Sequence, residues 1–142
     1  MVLRAAPISA AISSVTGATP AMPALVYLHG GGFVVGGIDT CEAMCSQVAH
    51  QSGAAVVAID YRLAPEHKYP AGLEDCMAAL RWLVEHGHTQ HLDASRMAVG
   101  GDSAGGTLAA ILAVVARDAE IPLGRIIIVH HDIGLTQGRL RD

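Results

Sequence analysis

The sequence is poor in charge. Only 15% of its 142 residues are Asp, Glu, Lys or Arg, while 51% are apolar. That balance excludes a disordered chain, which would carry too little apolar surface to offset the entropy of ordering. Basic clusters are also lacking. Nine Lys and Arg against 13 Asp and Glu leave a net charge of −4, so neither a nucleic acid nor a membrane is expected as a partner. No apolar run reaches the roughly 18–20 residues of a membrane span. The first 24 residues carry one charge, Arg4, and lack the dense apolar stretch of a signal peptide. Cysteine is scarce: Cys41, Cys45 and Cys76 make no disulfide framework. A reduced, cytoplasmic protein is the default expectation.

What is present suits one domain with a real core. Four apolar runs read as strands: Leu25–Leu28, Ala55–Ile59, Met97–Val99 and Ile126–Val129. They are continuously apolar and do not alternate, as in a parallel sheet covered on both faces. Three helical patterns lie between them. The first runs from Thr40 to Ser52, with Asp39 and Glu42 at capping-box spacing, Cys41, Met44, Cys45, Val48 and Ala49 on one face, and Gly53 as its stop. The second runs from Leu73 to His86, with Leu73, Cys76, Met77, Leu80, Leu83 and Val84 in register, and ends at Gly87. The third, Ala104–Ala116, is apolar nearly all round and is expected to be buried. Strand–helix–strand repeated three times predicts a doubly wound, mostly parallel α/β sheet with helices on both faces.

Two glycine-rich segments carry the chemistry. Gly101-Asp102-Ser103-Ala104-Gly105-Gly106 follows one predicted strand and opens a predicted helix. This is the setting of the G-x-S-x-G nucleophile elbow, in which a tight turn lifts the serine oxygen above the sheet. The Ala104 N–H, at the helix N-terminus, would then face a developing oxyanion. The plainer alternative is a Gly-rich turn, such as a phosphate site. His29-Gly30-Gly31-Gly32-Phe33 also follows a strand. Three glycines in a row leave N–H groups with no Cβ to block a ligand. Such a loop supplies the second oxyanion donor that an elbow needs; the alternative is a merely flexible turn. His29 itself reads as a support of the loop.

With Asp60-Tyr-Arg-Leu-Ala-Pro-Glu66 and Tyr69-Pro-Ala71, these motifs occur in an order and spacing that resembles the hormone-sensitive-lipase-like family of α/β-hydrolase carboxylesterases. The resemblance covers about residues 24–128. It implies Ser103 as nucleophile, Gly31, Gly32 and Ala104 N–H groups as the oxyanion hole, short-acyl small-molecule esters as substrates, and no cofactor. It assigns structural roles to Asp60, Arg62 and Glu66, and Asp102 is expected to brace the site. Cys41 and Cys45 lie at i, i+4, but no third ligand falls at metal spacing, so no metal is expected and both thiols should face the core. His50, His86, His88 and His91 fall at helix ends or in loops and should be solvated.

The resemblance also marks departures. In this fold the order is Ser, then Asp or Glu, then His, and the 39 residues after Ser103 offer no counterpart to the family's acid and base positions. Residues 1–142 therefore read as one partial α/β-hydrolase domain, with an atypical N-terminal segment (1–24) and an atypical tail (130–142). His130 and His131 directly follow the last predicted strand. If that strand is parallel to the one before Ser103, they leave it on the nucleophile's side, and one of them is a candidate general base; solvated tail residues are the alternative. Function is accordingly read as ester hydrolysis through a Ser103 acyl-enzyme, against a catalytically dead or very weak remnant. The uncovered Ile126–Val129 edge predicts a homo-oligomer.

Overall fold

The computed structural model describes residues 2–5, 8–13 and 21–129, and the side chains of residues 21–127. Six strands form one sheet: β1 (Val2–Ala5), β2 (Ile8–Ser13), β3 (Met22–Leu28), β4 (Ala55–Ile59), β5 (Leu92–Asp102) and β6 (Arg125–Val129). Their spatial order is β1-β2-β4-β3-β5-β6. The four strands expected from apolar runs are parallel to one another. β1 and β2 lie in the segment for which no strand was expected. They form an antiparallel ribbon, and β2 extends the sheet antiparallel to β4.

Three helices join the strands: α1 (Ile38–Ser52), α2 (Ala71–His86) and α3 (Ala104–Asp118). The sheet pleat sends alternate side chains to opposite faces. On one face Tyr27, Val56 and Ala58 meet Cys41, Cys45 and Ala49 of α1. On the other, Val26, Leu28, Val57 and Val99 meet Leu80 and Leu83 of α2 and Leu108 and Leu112 of α3. Helices thus cover both faces, as the apolar strands required. Among the described residues no helix is long and apolar enough to cross a membrane.

The helix ends correct several expectations. α1 begins two residues early, and Thr40, not Asp39, caps it: its hydroxyl donates to the Gly37 carbonyl at 2.6 Å and accepts the Gly37 N–H at 3.2 Å. Asp39 instead sits in the first turn, where a carboxylate favours the positive end of the helix dipole. Gly53 closes α1 in the left-handed conformation, whereas Gly87 stays right-handed and leads into a 3₁₀ turn, Gly87–Gln90. Met44 and Val84, on the apolar faces of α1 and α2, are partly exposed. The third helix is not buried all round. Its Leu108, Ala109, Leu112 and Ala116 face the sheet, while Ile111 and Val114 reach the surface, because α2 and the sheet cover only one side of it.

The segment after β4 is held by an ion pair. Arg62 Nε lies 2.9 Å from Asp75 Oδ2, and the Arg62 backbone N–H donates to the same oxygen at 2.9 Å. Asp75 is buried on α2, so the guanidinium ties this loop to the helix. The structural role expected of Arg62 is what it has, while Asp60 and Glu66 are exposed.

Candidate active site

Ser103 is the residue between β5 and α3. Its φ is 49° and ψ −118°, a backbone conformation that a non-glycine residue adopts at a cost of about 1–3 kcal/mol. The turn is tight because the start of α3 lies directly on the end of β3. A Cβ built on Gly105 would stand 2.6 Å from the His29 carbonyl oxygen and closer still to that of Leu28. Any side chain at Gly105 would push helix and strand apart. Thr107 N–H already donates to the Ser103 carbonyl at 3.1 Å, so helical bonding starts at the serine. Ala104 occupies the first helical position, where the N–H has no partner within the helix.

The second element is the loop after β3. β3 and β5 run parallel with Leu28 opposite Gly101, so the residues that leave them, His29 and Asp102, emerge side by side. Asp102 Oδ1 accepts the Gly30 N–H at 2.8 Å and the Tyr27 hydroxyl at 2.5 Å. The contact is so close that a Cβ on Gly30 would stand 3.1 Å from Asp102 Cγ. His29 is buried. Its Nδ1–H donates to the Gly30 carbonyl at 2.7 Å. Among the described residues, its Nε2 has no hydrogen-bond partner. Beyond this anchor Gly31 has φ 122° and Gly32 φ 63°. The Gly31 carbonyl accepts from Val34 and Val35 N–H at 3.1 Å each. Among the described residues, the N–H groups of Gly31 and Gly32 make no hydrogen bond.

The residues singled out in the sequence therefore divide. Ser103 and Ala104 stand at the elbow, and the loop that carries Gly31 and Gly32 is moored to the residue before Ser103. Asp102 braces the two, as expected. His130 and His131 lie outside the described residues. The β6 register does bear on them: Val129 stands opposite Asp102 in parallel pairing, so the chain leaves β6 at the end of the sheet where Ser103 sits. Among the described residues, no His, Asp or Glu hydrogen-bonds the Ser103 hydroxyl. Nor do three His, Cys, Asp or Glu side chains gather there to hold a metal ion. Cys41, Cys45 and Cys76 are buried and unbridged.

Sequence reasoning missed two participants. Tyr27 is the first. Burial, and then the Asp102 carboxylate beside it, push its phenol well above the ordinary value, so the hydroxyl stays a donor. Its parity on β3 was the available signal, since Tyr27 and Asp102 point to the same face. The second is a cleft of about 470 Å³ beside the loop, lined by Gly32, Phe33, Tyr61, Leu73, Leu108 and Ile111 among others. Thr107, one turn after Ser103, also borders it. Its volume and mostly apolar lining are those of a small-molecule site.

Comparison with known proteins agrees with this geometry. A family described as alpha/beta hydrolase fold matches residues 25–138. Esterase LipI of Mycobacterium tuberculosis is 56% identical over 100 residues, covering 70% of this chain and 31% of LipI. Ethyl acetate hydrolase of Pseudomonas putida is 46% identical over 104 residues, covering 72% of this chain and 33% of the relative. Among solved structures, a bacterial heroin esterase superposes with a TM-score of 0.83 at 36% identity, over 87% of this chain and 40% of its own. The chain thus spans about a third of the length of the curated relatives it matches. The elbow, the glycine loop, the sheet order and these relatives lead to one assignment: the chain belongs to the α/β-hydrolase fold family, in its hormone-sensitive-lipase-like branch.

Proposed function

We propose that this chain hydrolyses short-acyl esters of small molecules through an acyl-enzyme on Ser103. The single observation that carries the reading is the mooring of the Gly31–Gly32 loop to Asp102, the residue before a strained Ser103 at the start of α3. An ester carbonyl beside Ser103 Oγ has N–H donors on both sides, from Gly31 and Gly32 and from Ala104. Attack by Oγ forms a C–O bond and moves charge to the carbonyl oxygen. Donors aimed at that oxygen stabilise the tetrahedral intermediate. Its collapse expels the alcohol, and water then releases the acid. The apolar cleft beside Gly32 takes the hydrocarbon part of the ester.

Serine is a weak nucleophile without a base. His130 or His131 fills that role, since both follow Val129, opposite Asp102. One of the two is enough for that role. A second reading, a remnant with little or no catalysis, is favoured by the absence of a base on Ser103 among the described residues.

Turnover of p-nitrophenyl acetate by the chain and by Ser103→Ala separates the two readings. Oγ is the attacking atom in the esterase reading, so Ser103→Ala should fall toward the roughly 10³–10⁴-fold over water that an oxyanion hole and binding retain alone, and equal rates for the two proteins refute that reading. One of His130→Ala and His131→Ala should lower kcat by orders of magnitude and flatten the rise of rate near pH 6.5, the ordinary value for histidine. If both variants keep the full rate and pH profile, neither histidine is the base.

A further inference from the structure

We infer that Tyr27 and Asp102 are positioning residues, which together set the orientation of the loop that carries the Gly31 and Gly32 N–H donors. The inference rests on the esterase reading and deepens it. One peptide unit is the point of leverage. The Gly30 N–H is held by Asp102 Oδ1 at 2.8 Å. The carbonyl of the same peptide, that of His29, is held by the Tyr61 hydroxyl at 2.6 Å. A planar trans peptide gripped at both ends has little freedom left to rotate. It immediately precedes the Gly30 Cα and the next peptide, which carries the Gly31 N–H; Gly31's own φ of 122° is otherwise free to vary in a glycine.

Asp102 is itself oriented. It ends β5 and would turn freely at the sheet's rim without a partner. The Tyr27 hydroxyl donates to the same oxygen that accepts the Gly30 N–H. Tyr27 is buried between the sheet and α1, against the layer of Cys41 and Cys45, so its ring is a fixed reference. Position is thus passed from the α1 face, through Tyr27 and Asp102, to the loop. Because Asp102 is bonded in sequence to Ser103, the same carboxylate keeps nucleophile and donors in register. Donors placed in advance for a developing charge need no reorganisation during the reaction, which is where such a device acts on rate.

The test uses Tyr27→Phe, Asp102→Ala and Asp102→Asn. Readouts are hydrogen exchange of the Gly30 amide and the kcat and KM of p-nitrophenyl acetate turnover. Asp102→Ala should speed Gly30 exchange and lower kcat about tenfold or more, while KM moves far less, since the lost effect lies in the transition state. Asp102→Asn keeps an acceptor oxygen and should restore most of both readouts. Tyr27→Phe removes one hydroxyl without a cavity and should give a smaller loss of the same kind. Gly30 exchange unchanged in Asp102→Ala, or kcat unchanged while exchange quickens, overturns the inference. If the parent chain shows no Ser103-dependent turnover, the esterase reading has failed. Gly30 exchange then still decides the positioning claim.

Discussion

The Tyr61 hydroxyl donates to the His29 carbonyl oxygen at 2.6 Å, and the two rings stack with centroids 4.4 Å apart. Tyr61 follows β4 and His29 follows β3, so the base of the glycine loop is pinned to its neighbouring strand as well as to the elbow. Phe33 closes the other end, its carbonyl accepting the Ala64 N–H at 2.9 Å. Between these anchors the loop has little room to absorb a new side chain at some positions and ample room at others.

Gly31 and Gly32 should therefore respond differently. A Cβ on Gly31 would run into the Val35 carbonyl, with its carbon 2.7 Å away, whereas a Cβ on Gly32 meets nothing within 4 Å. Gly31→Ala is expected to displace the donors and cut p-nitrophenyl acetate turnover by about 10²-fold or more, the worth of one oxyanion donor. Gly32→Ala pays only for a left-handed conformation, about 1–2 kcal/mol, and should keep more activity. Equal rates in both variants and the parent would show that the loop does not face Ser103.

Neighbouring residues of α3 should divide stability from specificity. Leu112 is fully buried, while Ile111 is 37% exposed and borders the cleft. Leu112→Ala should cost about 2–5 kcal/mol in denaturant unfolding. Ile111→Ala should change stability little and shift the relative rates of acetate and longer-acyl esters. A preference unmoved by Ile111→Ala would separate the cleft from the substrate.

Alkaline pH should weaken the fold. Burial is the main cause that pushes the phenols of Tyr27 and Tyr61 well above their ordinary value. Both are raised in the folded chain, so their contribution is complete below the unfolded value of about 10 and declines as pH rises beyond it. Melting temperature should fall above about pH 10, and fall less steeply in Tyr61→Phe. A flat profile through that range, in a chain whose tyrosines have ionised, would contradict the burial.

We propose that copies of this chain assemble through β6. Among the described strands it pairs only with β5, and Ile126 and Ile127 are 51% and 46% exposed. An open apolar edge invites pairing with another chain. Light scattering is expected to show a homodimer or larger assembly, shifted toward monomer by Ile126→Lys. A stable monomer at all concentrations would refute this.

The legible parts of the molecule were those written locally. Gly101 and Gly105 flank Ser103 in one pentad, so the elbow could be read without the rest of the fold. The parallel core was equally legible, because Ala55–Ile59 is apolar throughout and has no solvent face. β2 was not. Its Ile-Ser-Ala-Ala-Ile-Ser sequence has little contrast, and its partner β4 lies more than 40 residues away, with Ala10 opposite Ile59. Tyr27 and Asp102 are 75 residues apart, and their meeting depends on a strand register that no local pattern states. Asp39 was read as the cap because capping preferences point to it, but α1 starts at Ile38, which leaves Thr40 the better placed oxygen.

The central claim is that Ser103 is the nucleophile of this chain, and covalent capture tests it most directly. An organophosphonate ester should react with the purified protein to give a single adduct by intact mass. Peptide mapping should place the adduct on Ser103, and Ser103→Ala should remain unmodified. No adduct, or one on a different serine, would contradict the account.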